Sequence, residues 1–245
     1  MMVDRDTIPV VRTPDEFFGM PEEYQKLVIH LLRQHTEGEL IGADDYLYVF
    51  YPLAPNAFER KVCCERAAEE LDHYMRGAEV LEAIGYDTSD FLSRSIAQRK
   101  YYKTEGVEIV DTWLKRGLFS FLGETGVLMM IEEMAHSSYV PLAKMTRQVI
   151  IDEHVHVANG HRIVKGIVEE EGPQAIQAEF EKAWAMALDL FGKSDSERSR
   201  AYLRWGLRQY SNEEARQRFI TLMTPRCEAL GLRIPAADAI TRKFT

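Results

Sequence analysis

Two ten-residue stretches, AEELDHYMRG (68–77) and IDEHVHVANG (151–160), decide the fold of this chain. In each, an acid precedes a glutamate, a histidine follows three residues after that glutamate, and a glycine comes four residues after the histidine. Side chains at positions i and i+3 leave a helix on one face. Each stretch therefore predicts a helix on which a carboxylate and an imidazole, Glu70 with His73 or Glu153 with His156, can bind the same cation.

The surrounding segments are rich in Leu, Ala, Glu, Arg and Met between scattered prolines, and they lack the alternating pattern that marks strands. The sequence therefore predicts an all-α protein. A long connection at 86–108, which contains Tyr101 and Tyr102, is expected to hold a short helix. The other helices are predicted at about 22–50, 56–85, 109–136, 142–171, 173–191, 195–210 and 212–230.

The first and third long helices each carry one glutamate, Glu39 or Glu124, on an otherwise apolar stripe. Residues at the same height in an antiparallel hairpin are equidistant from its turn. The midpoint between Glu39 and Glu70 falls in the break at 52–56, and that between Glu124 and Glu153 falls in the break at 137–141. The spacing predicts a ferritin-like four-helix bundle with one long crossover, in a single domain over 1–245 with its core at about 22–171 and a helical extension at about 173–230.

The expected ligand set points to a two-metal site. One Glu from each of two helices and a Glu-x-x-His from each of the other two is the set found in di-iron and di-manganese carboxylate proteins. Carboxylates with one imidazole per metal suit iron or manganese. We therefore expect two iron ions (Fe²⁺/Fe³⁺), with manganese as the alternative, that activate O₂. The expected metal ligands and catalytic residues are Glu39, Glu70, His73, Glu124, Glu153 and His156.

The third helix offers a competing ligand. Glu132 lies on nearly the same face as Glu124, two turns later, and the midpoint argument favours Glu124. Glu133 and His136 are expected at the end of the hairpin, near solvent or beside the ligands.

Other residues are expected to lie beside the ligands. Charged neighbours of metal-binding histidines commonly fix their orientation, and the candidates here are Glu69, Asp152, Arg66 and His35. His154 and His161 are expected on the surface. Gly77 and Gly160 either allow close helix packing or leave space near the metals.

Composition narrows the class of protein. Asp and Glu number 39 against 30 Lys and Arg, so the net charge is −9, which argues against nucleic-acid binding. The apolar runs are too short to span a bilayer, and residues 1–17 lack the apolar core of a signal peptide. Three cysteines, two of them adjacent, indicate reduced thiols and a cytoplasmic location.

Beyond the metal motifs, the chain resembles the phenylacetic acid catabolic family, and within it the catalytic subunits that epoxidise phenylacetyl-CoA. The resemblance rests on YQKLVIHLLRQHTEGELIG (24–42), AEELDH (68–73), LGETGV (122–127), SSYVPLA (137–143), DEHVH (152–156), FGKSD (191–195), NEEARQRF (212–219) and EALGLRIP (228–235). It implies a di-iron monooxygenase that acts on an acyl-CoA thioester. It also implies a structural partner subunit of the same family and an electron-donating reductase.

The six expected ligands fall on the family's ligand positions, with one exchange. Glu124 stands where the family has an aspartate, and Arg66 stands where it has a lysine. We expect the substrates to be O₂ and an aromatic or unsaturated compound, either a small molecule or an acyl-CoA. We also expect the protein to form a homo-oligomer.

Two rival functions use the same fold. A non-catalytic structural subunit would be free to lose His73 or His156, and this chain has both. A ferroxidase or iron-storage protein would need no C-terminal extension that resembles the oxygenase family.

Overall fold

The computed structural model describes residues 8–94, 98, 110–240 and 243. These residues are helical apart from turns and one isolated parallel bridge between Val11 and Tyr139. The α-helices are α1 (Pro14–Phe18), α2 (Glu22–Asp44), α3 (Tyr51–Leu53), α4 (Ala57–Glu82), α5 (Ser89–Ser93), α6 (Trp113–Leu118), α7 (Thr125–Met134), α8 (Val140–Glu171), α9 (Pro173–Asp189), α10 (Glu197–Arg204) and α11 (Asn212–Glu228). Two π-helical segments, Asp45–Phe50 and Phe119–Glu124, continue α2 and α6, and a 3₁₀ turn spans Ala237–Ala239.

Two helical hairpins form the bundle. In the first, α2 packs on α4; in the second, α8 packs on α6, α7 and the π-helical segment between them; α4 then packs on α8. The first turn ends at Asn56, whose side chain accepts a hydrogen bond from the Glu59 N–H at 3.0 Å and so caps α4. The all-α prediction and the ferritin-like bundle are confirmed.

The helix bounds differ from the predicted ones at several ends. The largest difference is in α10, which covers Glu197–Arg204 rather than 195–210, and α4 ends at Glu82 rather than at 85. The first long helix reaches Leu53, three residues further than predicted. The third begins at Trp113 rather than at 109, because the Thr112 side chain accepts a hydrogen bond from the Lys115 N–H and caps it there. The short helix in the connection is α5, while Tyr101 and Tyr102 lie outside the described residues.

Two glycines permit the close approach of the paired helices. A Cβ on Gly77 of α4 would collide with the Thr36 side chain of α2, and a Cβ on Gly160 of α8 would collide with the backbone of Ser120 and Phe121. Of the two roles considered for these glycines, the structure therefore supports helix packing. The placement of the neighbouring candidate ligands depends on this contact, because it fixes how near the helices lie.

The C-terminal helices cover the second hairpin. Phe180 and Trp184 of α9 and Phe219 of α11 are fully buried in one apolar cluster with Phe121 and Leu122 of the second hairpin. None of the helices in the described part of the chain is long and apolar enough to cross a membrane.

Candidate metal centre

Four of the six expected ligands meet in the middle of the bundle. Ligand atoms of Glu39, Glu70, His73 and Glu153 all lie within 4.8 Å of one another, and all four side chains are buried. They come from α2, α4 and α8, so the hairpin spacing does bring Glu39 to Glu70. Within the described residues, this is the group whose donor atoms are close enough to share a metal ion.

His73 and His156 each face the centre with Nδ1 and face outward with Nε2. His73 Nδ1 lies 3.3 Å from Glu39 Oε2 and 3.2 Å from Glu153 Oε1, while its Nε2 lies 3.2 Å from Asp152 Oδ2. His156 Nε2 donates to Glu69 Oε2 at 2.9 Å. The contacts cross between helices, because α8 supplies the acid for His73 and α4 supplies the acid for His156.

The inner nitrogen of His156 also points at the carboxylates. Its Nδ1 lies 3.3 Å from Glu70 Oε1 and 3.7 Å from Glu153 Oε2, but it is aligned with neither for a hydrogen bond. A buried nitrogen that is close to two carboxylates without bonding to either suits a shared cation better than a hydrogen bond. His156 therefore lies beside the group of four.

Glu124 stands apart from that group. Its Oε1 accepts a hydrogen bond from the Tyr46 hydroxyl at 3.1 Å, and its Oε2 is buried with no hydrogen-bond partner. Tyr46 also packs its ring edge-on against His156, with centroids 5.8 Å apart. Tyr46 thus connects Glu124 to His156. One carboxylate oxygen of Glu124 stays without a hydrogen-bond partner and could bind a metal ion.

The ionisation of the acids reflects their crowding. Burial by itself would raise the pKa of Glu39, but the adjacent His35 and the hydrogen bond from His73 hold that pKa well below its usual range. Burial and the negative charge of Glu39 raise the pKa of Glu70 well above its usual value, and burial raises that of Glu153. In the metal-free protein, the raised pKa values of Glu70 and Glu153 favour the neutral form of these two carboxyl groups.

The pKa values of the two histidines are raised by neighbouring carboxylates. Burial lowers the pKa of His73, but its hydrogen bonds to Glu153 and Glu39 outweigh that effect and raise the pKa to about 11. The pKa of His156 is likewise raised well above its usual value by the carboxylates of Glu69 and Glu70, against the effect of burial. The carboxylates of the centre therefore favour the positively charged form of both imidazoles.

The donor set fits a divalent cation. Three carboxylates and the imidazole of His73 converge, Glu124 Oε2 is buried without a hydrogen-bond partner, and His156 Nδ1 is not engaged in a hydrogen bond. Oxygen donors with one imidazole per ion favour iron or manganese. The residues could hold such ions and leave coordination positions open for a substrate or for O₂.

Three further residues support the ligands. His35 Nδ1 lies 2.9 Å from Glu39 Oε1, and Arg66 donates to Glu69 Oε2 at 2.7 Å, so His35 contacts a candidate ligand and Arg66 contacts the acid that holds His156. Gly42, which was not singled out, leaves room for the Glu70 carboxylate, since a Cβ there would lie 3.0 Å from it. The only sign of Gly42 in the sequence is its position three residues after Glu39, on the same helix face.

The competing acid of the third helix points away from the centre. Glu132 is exposed and lies 3.5 Å from Nε2 of the exposed His154. Glu133 is buried, but it binds Arg208 through both oxygens at 3.0 and 3.2 Å and does not turn toward the ligands. These contacts favour Glu124 over Glu132.

The histidines that were expected near the surface differ in exposure. His136 and His154 are exposed, whereas His161 is half-buried and its ring lies 5.3 Å from that of Phe121. The expectation that His161 lies on the surface is therefore wrong in part. Burial lowers its pKa, which agrees with a packing role.

Sequence reasoning missed the two π-helical segments that flank the site. Tyr46 lies in the first and Glu124 ends the second. A π-helical turn holds one more residue than an α-turn and often occurs at functional sites. It changes which side chains face the centre, and the hydrophobic pattern alone carries no sign of it.

The chain is similar to known proteins over most of its length. The sequence profile described as "Phenylacetic acid catabolic protein" matches residues 15–243. One component of the 1,2-phenylacetyl-CoA epoxidase of Escherichia coli (strain K12) is 24% identical over 224 residues, which cover 89% of this chain and 72% of that protein. The chain therefore belongs to the phenylacetic acid catabolic protein family, as its motifs predicted.

Proposed function

We propose that this protein is a di-iron monooxygenase that inserts one oxygen atom into an aromatic or unsaturated substrate carried as a CoA thioester. The observation that carries the proposal is the pair of crossed Glu-x-x-His units, in which each imidazole offers Nδ1 to the inner carboxylates and is held from outside by an acid of the other helix. The similarity to an epoxidase component supports the reaction class and the substrate class.

Iron bound at this centre would supply two-electron chemistry with O₂. One oxygen atom enters the substrate, and the other leaves as water with two electrons and two protons from an external donor. The chain's part is to hold the ligands at fixed angles and to exclude water. Asp152 and Glu69 do the first by holding the Nε2 atoms of His73 and His156.

A reductase and a partner subunit complete the proposal. The E. coli relative is named as one subunit of an epoxidase, which supports a complex with a structural subunit of the same family. The two electrons of each turnover require a reductase. Homo-oligomerisation and a cytoplasmic location stay predictions.

The direct test uses iron-loaded protein with a chemical reductant, phenylacetyl-CoA and ¹⁸O₂. We expect substrate-dependent O₂ uptake and a product that carries one ¹⁸O atom. His73→Ala should abolish the product and lower the iron content while the helical circular dichroism is kept. Iron oxidation without any oxygenated product, from the loaded protein with its partners present, would instead favour a ferroxidase.

A further inference from the structure

Arg116, in α6, is a fully buried cation, and no acid of the described residues lies at hydrogen-bond distance from it. Its guanidinium is surrounded by aromatic rings: the carbon Cζ lies 5.4 Å from the centroid of Tyr46, 5.3 Å from Phe50 and 5.5 Å from Trp113. Among the residues that the structure describes, none accepts a hydrogen bond from Nε, Nη1 or Nη2. The aromatic faces are the main groups that stabilise this charge.

Such an arrangement is costly for folding. A buried charge without an ionic partner loses its hydration, and cation–π contacts recover only part of that loss. The other fully buried arginine, Arg216, shows the ordinary solution, because it donates to backbone oxygens and to Ser194 and Glu213. An apolar side chain at position 116 would therefore fold at least as well as arginine.

Tyr46 connects Arg116 to two of the expected metal ligands. Tyr46 takes the guanidinium on its ring, donates its hydroxyl to Glu124 at 3.1 Å, and packs edge-on against His156. Tyr46 thus contacts two of the ligands expected from the second hairpin. Whatever fixes this ring fixes the direction of the Glu124 carboxylate.

We propose that Arg116 is a positioning residue for the metal centre, which holds the Tyr46 ring by its buried charge and through it orients Glu124. The inference rests on the proposed function only in assuming that the centre binds metal. It assigns a role to a residue outside the six expected ligands.

The test measures anaerobic Co²⁺ affinity and thermal stability in parallel. In Arg116→Met, the affinity of the weaker site should fall about tenfold, as for other residues that orient metal ligands, while the melting temperature of the metal-free protein stays the same or rises. Arg216→Met is the matched control: it should lower the melting temperature and leave Co²⁺ affinity unchanged. Opposite responses of the two variants separate positioning from packing.

A double-mutant cycle tests the path through Tyr46. Tyr46→Phe should weaken Co²⁺ binding by a similar factor, and adding Arg116→Met should then have no further effect. Arg116→Lys, which keeps the charge, should bind nearly as well as the wild type. Tyr46→Phe with unchanged affinity, or additive losses in the double variant, would overturn the inference. Wild-type protein that binds no Co²⁺ or Fe²⁺ would instead refute the proposed function.

Discussion

At the scale of single residues, the centre depends on the different use of the two nitrogens of each histidine. Asp152 and Glu69 engage Nε2 and leave Nδ1 facing the inner carboxylates. An imidazole held in this way keeps one tautomer and one ring orientation, which raises its affinity for a metal. The two acids are therefore as much a part of the site as the ligands.

Removing either outer acid should weaken metal binding without unfolding the protein. We expect Asp152→Asn and Glu69→Gln each to reduce iron affinity by roughly 10- to 100-fold, because the imidazole loses its charged acceptor. Chelator competition with reduced iron measures the change. Glu132→Gln on the exposed face of α7 is the control and should bind as the wild type does. Equal affinities in all four proteins would contradict the role given to these acids.

Metal binding should grow stronger as pH rises. The pKa of His73 is raised to about 11, so His73 is protonated near neutral pH, and the pKa of His156 is raised in the same direction; a histidine must release its proton from the binding nitrogen to bind iron. We expect release of roughly two protons per chain on loading, measured by calorimetry in buffers of different ionisation enthalpy, and a higher affinity at pH 8 than at pH 6. Affinity that does not change with pH would contradict this.

The metal-free protein should respond to pH in the opposite direction. Because the folded-state pKa of His73 lies above its ordinary value of 6.5, its contribution to stability is fully present below pH 6.5 and is lost as pH rises toward 11. Urea unfolding of the metal-free protein at pH 6 and pH 9 tests the sign. A free energy of unfolding that increases between these values would contradict the assignment.

At the scale of helices, glycine sets the distance between the elements of the second hairpin. Gly160→Ala should destabilise the protein by about 1–3 kcal/mol, because its Cβ would meet the backbone of Ser120 and Phe121, which cannot move aside cheaply. Gly166→Ala, on the same helix with open space, should stabilise it by about 0.5–1 kcal/mol. Chemical denaturation measures both. A Gly160→Ala variant as stable as Gly166→Ala would contradict the packing role.

The helices also show what sequence could and could not predict. The positions of Glu39 and Glu70 follow from chain spacing, since both lie on regular α-helix and the turn between them is marked by Pro55 and Asn56. The placement of Glu124 beside Tyr46 does not, because it depends on π-helical turns that the periodicity of apolar residues does not reveal. Arg116 was also missed, since an arginine in a helix is ordinarily expected to be exposed.

At the scale of the whole molecule, the C-terminal helices are tied to the bundle by a buried ion pair. Glu133 of α7 accepts from Arg208 with both oxygens and from the backbone N–H groups of Gln209 and Tyr210 at 3.2 Å. This residue, a neighbour of the competing acid Glu132, thus fixes the segment between α10 and α11. The C-terminal region covers the hairpin that supplies Glu124, Glu153 and His156.

Breaking that ion pair should loosen the C-terminal region. Glu133→Ala leaves the buried Arg208 without its partner, so we expect a loss of about 3–5 kcal/mol in unfolding free energy, with increased hydrogen exchange concentrated at 204–212. Replacing the pair together, Glu133→Leu with Arg208→Met, should restore much of the stability. A single variant with wild-type stability would refute this account of the contact.

The central claim is that one chain holds two iron ions between its two hairpins. The measurement that tests it most directly is the iron stoichiometry of protein loaded anaerobically with Fe²⁺ and freed of excess metal, with His73→Ala and His156→Ala alongside. The account predicts about two irons per folded chain, at the ligand set of di-iron carboxylate proteins, and fewer in both variants. Folded wild-type protein that retains no iron, or variants that retain as much as the wild type, would contradict it.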